Sequence, residues 1–291
     1  MRGIGEATAA ITIVNALPTG IGAAVGIGLR ARAEVDIGEP GSPSAAEPTF
    51  RPTSSATPLV RTALAHAIAK FAPDGVAPTA VTIRSDIPFA AGLKSSSAVA
   101  SAIVAAVANA AGRRLTPAEI AQASAEIGRA ARVSATGAFD DAMAGLVPGV
   151  VVTDNREDRL LQTFPVGRGL AVALWIPPGT HPNAPTARTR FPGESARTRA
   201  PVEAARAGRL WEAIELNSEI VEEAMGYPYG ELRRELRARG ALGSGTSGLG
   251  PAFASVAPRE DVPALVAWMA KSPGRTFPVD FSVFEDLEAR T

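Results

Sequence analysis

One segment narrows the choice of fold more than any other: a strand-like run, Val81 to Ile83, leads into Ile87-Pro88-Phe89-Ala90-Ala91-Gly92-Leu93-Lys94-Ser95-Ser96-Ser97-Ala98 and then into a long run of small residues. A Pro/Gly turn ends the strand, and three hydroxyls open a helix. At a helix N-terminus the first backbone N–H groups lack intrahelical partners and the macrodipole is positive, so an anion is stabilised there without a dedicated cation. Gly92 lets the backbone approach closely or take positive φ, while Ser95, Ser96 and Ser97 supply caps, phosphate donors or a magnesium ligand. A plain capped helix is the alternative, and the segment alone does not choose between the two.

The rest of the chain supplies a frame for that junction. Residues 8–17 and 26–37 suggest two strands around the Gly-rich turn Pro18 to Gly22, and a polar, Pro-rich loop follows from Gly38 to Pro58. Leu59 to Phe71 has helical spacing, 80–84 reads as a strand, and the helix after the serines runs to about Ala111. Thr116-Pro117-Ala118-Glu119 has the pattern of a capping box and predicts a helix to about Ala131. A short helix from Asp140 and a strand from Val150 to Asp154 complete the first half. The second half restarts with a buried strand, Leu170 to Ile176, and a long loop from Pro177 to Pro201. Helices near 202–207, 209–225 and 229–239 precede a Gly-rich stretch, Gly240 to Gly250, a strand at 252–257, a helix at 260–271 and a strand near 276–279. That order fits an α+β fold with an antiparallel sheet, divided near Asn155 to Leu160.

Composition removes several classes of function. With 29 basic and 29 acidic side chains the formal charge is zero, so no global field invites nucleic acid or an anionic membrane. Cysteine is absent, which excludes disulfides, thiolate nucleophiles and Cys-ligated zinc. Thr and Asn interrupt the apolar run Ala7 to Leu17, and glycines follow it, so it reads as a strand and not as a signal peptide. The Ala-rich stretch after Ser97 reads as a closely packed interior helix, and a cytoplasmic location follows by default.

Four further segments are candidate sites. Asp140-Asp141 is the best acid/base pair, since phosphoryl transfer to an alcohol needs a carboxylate to accept or orient the hydroxyl proton. Gly243 to Pro251 holds four glycines among Gly243-Ser244-Gly245-Thr246-Ser247-Gly248-Leu249-Gly250-Pro251, more than a connector requires, and reads as a backbone-amide nest. Gly20-Ile21-Gly22-Ala23-Ala24-Val25-Gly26 has the outline of a dinucleotide fingerprint but runs into a strand where the fingerprint needs a helix. His66 reads as structural and His181 as a loop residue, while Arg188, Arg190, Arg197 and Arg199 crowd the loop before Pro201, where one or two suit a substrate carboxylate.

Together these segments resemble the GHMP kinase superfamily. The family's second motif, P-x-x-x-G-L-x-S-S, matches Pro88 through Ser96, and its third motif is similar to Gly245 through Pro251. Within the superfamily the chain looks most like the archaeal-type shikimate kinases, through Ala9 to Ala16, Thr19 to Ile27, Gly92 to Ala98, Thr136 to Ala142 and Val152-Thr153-Asp154-Asn155. The resemblance implies a two-domain GHMP kinase-like α+β fold, with a ribosomal S5-like N-terminal domain over 1–157 and a ferredoxin-like α/β domain over 158–291. It also implies ATP-dependent phosphorylation of the shikimate 3-hydroxyl with Mg2+ as cofactor. Homoserine, mevalonate or pantoate is the rival acceptor, and a catalytically silent metabolite-binding homologue the rival of another class. By the same resemblance Pro88, Ala91, Gly92, Leu93, Lys94, Ser95, Ser96 and Ser97 would hold ATP, with Ser96 and Glu126 as metal contacts. Asn15, Thr19, Gly20, Gly22, Thr246, Ser247 and Gly248 would line the acceptor pocket, and Asp140 or Asp141 would be the base. Asp140 fits the family's Asp-Asn or Asp-Gln pattern, whereas spacing to Pro148-Gly149 favours Asp141. Nothing in the sequence signals an oligomeric state.

Overall fold

The computed structural model of the chain describes residues 1–38, 48–50, 57–179 and 189–282. Six strands form the first sheet: β1 (Arg2–Val14), β2 (Ile21–Ile37), β3 (Thr49–Phe50), β4 (Pro78–Ser85), β5 (Val150–Asp154) and β6 (Arg159–Phe164), in the order β3-β4-β2-β5-β6 with β1 on β2. β2 organises it. Along one edge β2 pairs antiparallel with β1, from Arg2 opposite Asp36 to Val14 opposite Ala23. The other edge is shared, with β4 on 31–37 and β5 on 21–25. Between those partners residues 280–282 step in: Gly28 N–H donates to Asp280 O at 2.9 Å, and Ser282 N–H to Gly26 O at 2.9 Å.

Helices α1 (Pro58–Phe71), α2 (Ser95–Ala110), α3 (Pro117–Ala130) and α4 (Phe139–Ala144) belong to this half. The expected Thr116/Glu119 capping box forms on α3, and Thr57 caps α1 by accepting from Val60 N–H. α2 is made almost wholly of Ala, Ser and Val, so β1 lies nearly flush against its backbone. A Cβ added at Gly5 would sit 2.2 Å from Ala102 O. No rotamer relieves a contact between backbones, so Gly5→Ala should destabilise the fold by about 1–3 kcal/mol, read as a lower midpoint in urea. An unchanged midpoint would mean that the strand can lift off the helix at no cost.

The second sheet is antiparallel throughout, in the order β10-β7-β9-β8, from β7 (Leu170–Ile176), β8 (Gly243–Thr246), β9 (Phe253–Pro258) and β10 (Arg275–Val279). With it go α5 (Ala196–Arg206), α6 (Leu210–Met225), α7 (Gly230–Arg237) and α8 (Val262–Met269). One apolar cluster joins Ile11 and Val25 of the first sheet to Val172, Leu174 and Val256 of the second and to Ile214 of α6, so both sheets share a core. At about 1.5–3 kcal/mol for each large side chain buried, that shared core is what holds the two halves in register.

The two-sheet α+β architecture is the one expected, with three local corrections. The loop expected to reach Pro201 ends sooner, because Ser195 caps α5 and the helix absorbs Pro201. Residues 159–164 form an additional edge strand on β5, and part of the expected Gly-rich connector is strand β8. His181, Arg188, most of Gly38 to Pro58 and part of Pro177 to Pro201 lie outside the described residues. Among the described residues no helix is long and apolar enough to cross a membrane.

Candidate active site

The turn after β4 is built from left-handed backbone at Ala90 (φ 53°), Gly92 (φ 85°) and Lys94 (φ 65°). Lys94 is the N-cap of α2 but gives no side-chain cap, and the first intrahelical bond is Ala98 N–H to Lys94 O at 3.0 Å. The N–H groups of Ser95, Ser96 and Ser97 therefore have no hydrogen-bond partner among the described residues. All three serines, with Gly92 and Lys94, line a cavity of about 410 Å³.

Gly92 has to be glycine, since a Cβ there would lie 2.3 Å from Ser247 O. That close approach joins the serine turn to the Gly-rich segment after β8. Ser247 Oγ donates to Gly92 O at 2.8 Å, and Ala252 N–H donates to Ala91 O at 3.0 Å. From the other side Gly248 N–H donates to Thr12 Oγ1 at 2.9 Å, and Asn15 Nδ2 to Gly248 O at 3.2 Å. β1, the serine turn and the Gly-rich segment thus converge on one cavity.

The acid pair stands in the same cavity, at the start of α4. Asp140 is 5% exposed and packs on β2, where a Cβ at Gly22 would meet its Oδ2 at 2.4 Å. Asn155 Nδ2 donates to Asp140 Oδ1 at 2.6 Å. Burial and then the Asp141 charge push the Asp140 carboxyl up to about 7, against the opposing pull of Lys94 and Asn155. Lys94 Nζ lies 3.0 Å from Asp141 Oδ1, in an ion pair too bent to count as a hydrogen bond, so that oxygen has no hydrogen-bond donor.

Of the residues expected from the sequence, the cavity gathers Gly92, Lys94, the three serines, Asp140, Asp141, Asn15 and Gly248. Others stand behind it. Leu93 is a core side chain, and Ala91 contributes its carbonyl to the Gly-rich segment. Pro88 shapes the turn without lining the cavity. Ser247 is spent on Gly92, and Thr246 lies buried on β8, 3.5 Å from Glu222. Thr19 and Gly20 are held by Arg156, whose Nη2 donates to Thr19 O, and Gly22 makes room for Asp140. Glu126 is a correction. It faces α1, taking Lys70 Nζ at 2.7 Å and His66 Nε2 at 2.7 Å, and does not line the cavity. Sequence reasoning gave no site role to Thr12, Ser124 or the wall formed by Arg132 to Ala138, although Thr12 and Thr136 to Ala138 lie in segments that carry the resemblance.

No group of three or more His, Asp or Glu among the described residues forms a ready cage for a metal. What the cavity offers is hydroxyl oxygen beside unpaired N–H groups, which suits a hard cation that keeps most of its ligands from phosphate and water.

Residues 58–149 match the GHMP kinases N terminal domain. A shikimate kinase of Halobacterium salinarum is 33% identical over 276 residues, spanning 94% of this chain and 95% of its own. Another from Thermococcus kodakarensis is 34% identical over 258 residues, spanning 86% of this chain and 90% of its own. Among solved structures, homoserine kinase of Cytophaga hutchinsonii superposes with a TM-score of 0.71 at 17% identity, covering 97% of this chain and 96% of that one. Mevalonate kinase of Methanococcus jannaschii gives 0.72 at 13% identity, covering 97% and 99%.

Proposed function

The chain belongs to the archaeal-type shikimate kinases of the GHMP kinase family, and from that premise we propose how its residues share the transfer of the γ-phosphate of ATP to the 3-hydroxyl of shikimate. The observation that carries the reading is one cavity holding three unpaired helix-start N–H groups, three serine hydroxyls, a lysine and a carboxylate pair. The N–H groups and hydroxyls of Ser95 to Ser97 receive the triphosphate. Ser96 would hold the magnesium ion, which would supply positive charge to the phosphates. Asp140 accepts the hydroxyl proton, because a base is most effective when its pKa lies near the working pH, and burial has moved this one to about 7. Lys94, beside Asp141, puts positive charge where the phosphoryl group passes. Asn15 and Gly248 line the acceptor end.

In the same reading the half through residue 157 carries the phosphate site and the acid pair, and the half from 158 supplies the Gly-rich cover. A cytoplasmic location belongs to the proposal too, supported by the need for ATP. The test is ADP release measured with shikimate, homoserine, mevalonate and pantoate in turn. Shikimate alone should support turnover. Turnover with another acceptor and none with shikimate would overturn the acceptor assignment, and none with any would favour a silent homologue.

A further inference from the structure

Asn155 is 3% exposed and lines no part of the cavity, yet its side chain makes two hydrogen bonds with Asp140 and a third with Thr153. We propose that Asn155, oriented by Thr153, is a positioning residue that fixes the Asp140 carboxylate for proton transfer. This rests on the reading of Asp140 as the base.

The amide has only one sensible orientation. Asp140 N–H donates to Asn155 Oδ1 at 3.2 Å, and a backbone N–H can only donate, so the atom facing it is the oxygen. Thr153 Oγ1 donates to the same oxygen at 2.7 Å, closing the second lone pair. With Oδ1 fully engaged, Nδ2 is left pointing at Asp140 Oδ1, 2.6 Å away. The backbone is tied as well, since Asn155 N–H donates to Gly20 O at 2.9 Å. Asp140 is thereby held between Gly22 on β2 and an amide whose direction its own backbone N–H dictates and the Thr153 hydroxyl supports.

The charged groups facing Asp140 are Asp141 on its own helix and Lys94 from the turn before α2, while β2 and the end of β5 contribute only uncharged groups. Asn155 is thus the neutral side-chain donor, beside the backbone N–H of Asp141, that favours the ionised carboxylate against burial and against the Asp141 charge. Without it the carboxyl holds its proton to higher pH and is free to rotate.

The experiment is kcat against pH, with shikimate and magnesium-ATP, for Asn155→Ala, Thr153→Val, Thr153→Ser and Asp140→Asn. Asn155→Ala should lower kcat at neutral pH by about tenfold or more and leave the KM for ATP within about twofold. Its acid limb should move to higher pH by roughly half a unit or more. Thr153→Val, which keeps shape and removes the orienting hydroxyl, should move the limb the same way by less, and Thr153→Ser should restore it. Thr153→Val carries the test alone if Asn155→Ala does not fold. An acid limb at the parental pH in every folded Asn155 and Thr153 variant overturns the positioning role, even if kcat has fallen. Asp140→Asn separates the two failures: if it keeps parental turnover the base assignment is wrong and this proposal falls with it, whereas lost turnover beside an unmoved limb sinks the positioning role alone.

Discussion

Asp140→Asn is expected to lower turnover by at least about a hundredfold while leaving the KM for ATP near its parental value, because general-base catalysis has that size and Asp140 is not placed on the triphosphate. The substitution is nearly isosteric, and the new amide oxygen can still accept from Asn155 Nδ2. Parental activity should itself fall as the pH drops through about 7, where the buried carboxyl takes up its proton. Stability should run the other way. The folded-state pKa is raised above the ordinary carboxylate value, so between about pH 4 and pH 7 the folded chain binds a proton that the unfolded chain has released. Stability from this group is therefore present at low pH and is lost as pH rises through the folded pKa. Asp140→Asn abolishes that loss, so above pH 7 the dead variant should melt a few degrees higher than the parent. Loss of turnover without the gain in melting temperature would mean that the carboxylate is less strained by burial than its surroundings imply. Retained turnover would remove the base.

The strand–turn–helix junction was legible because each part follows from local chemistry: proline and glycine stop β4, hydroxyls open α2, and apolar spacing continues it. The acid pair was legible as chemistry but not as geometry. Nothing in Asp140-Asp141 says that the first carboxylate is buried on Gly22 and the second faces Lys94, because both facts depend on where β2 and the serine turn lie in space. Strand β8 was hidden by its glycines. Gly243 and Gly245 read as loop, yet they are strand positions where a Cβ would come within 2.5 Å of Trp211 O and 2.8 Å of Ile214 O, so glycine there serves close packing on α6 and not flexibility. Asn155 was hidden for the opposite reason. An asparagine just past a strand looks like ordinary turn chemistry, and only the fold shows its amide turned inward between Thr153 and Asp140. Glu126 misled because distance along the chain stood in for direction: two residues turn a helix by about 200°, so with Ser124 and Gly128 on the cavity, Glu126 stands on the opposite face against α1.

Lys94→Met should cost about a hundredfold to a thousandfold in kcat, the range seen when a fixed charge aimed at a developing anion is removed. The side chain is 10% exposed, its Nζ is 3.0 Å from Asp141 Oδ1, and a Cβ on Gly248 would lie 3.0 Å from that same nitrogen. It is therefore held between the acid pair and the Gly-rich segment, and it is not free to sweep through solvent. Methionine keeps most of the unbranched stem and bears the left-handed backbone no worse than lysine, so the main change is the charge. Two readouts follow from one cause. Lys94 opposes the upward push on Asp140, so its loss should move the acid limb of kcat to higher pH as well as lower its plateau. If the charge acts on the transferring phosphoryl group, kcat falls more than the KM for ATP rises; if it only binds ground-state phosphate, the KM rises and kcat stays within about tenfold of the parent. Lys94→Met with Asp141→Asn resolves what remains. Removing both charges relieves the buried, unpaired carboxylate that the single variant leaves, so stability should recover toward the parent. Turnover should not recover, because neutralising Asp141 returns no positive charge to the cavity. Recovery of turnover in the double variant would show that the lysine serves only to quiet Asp141, and that the transferring charge is stabilised by the helix N-terminus and the metal alone.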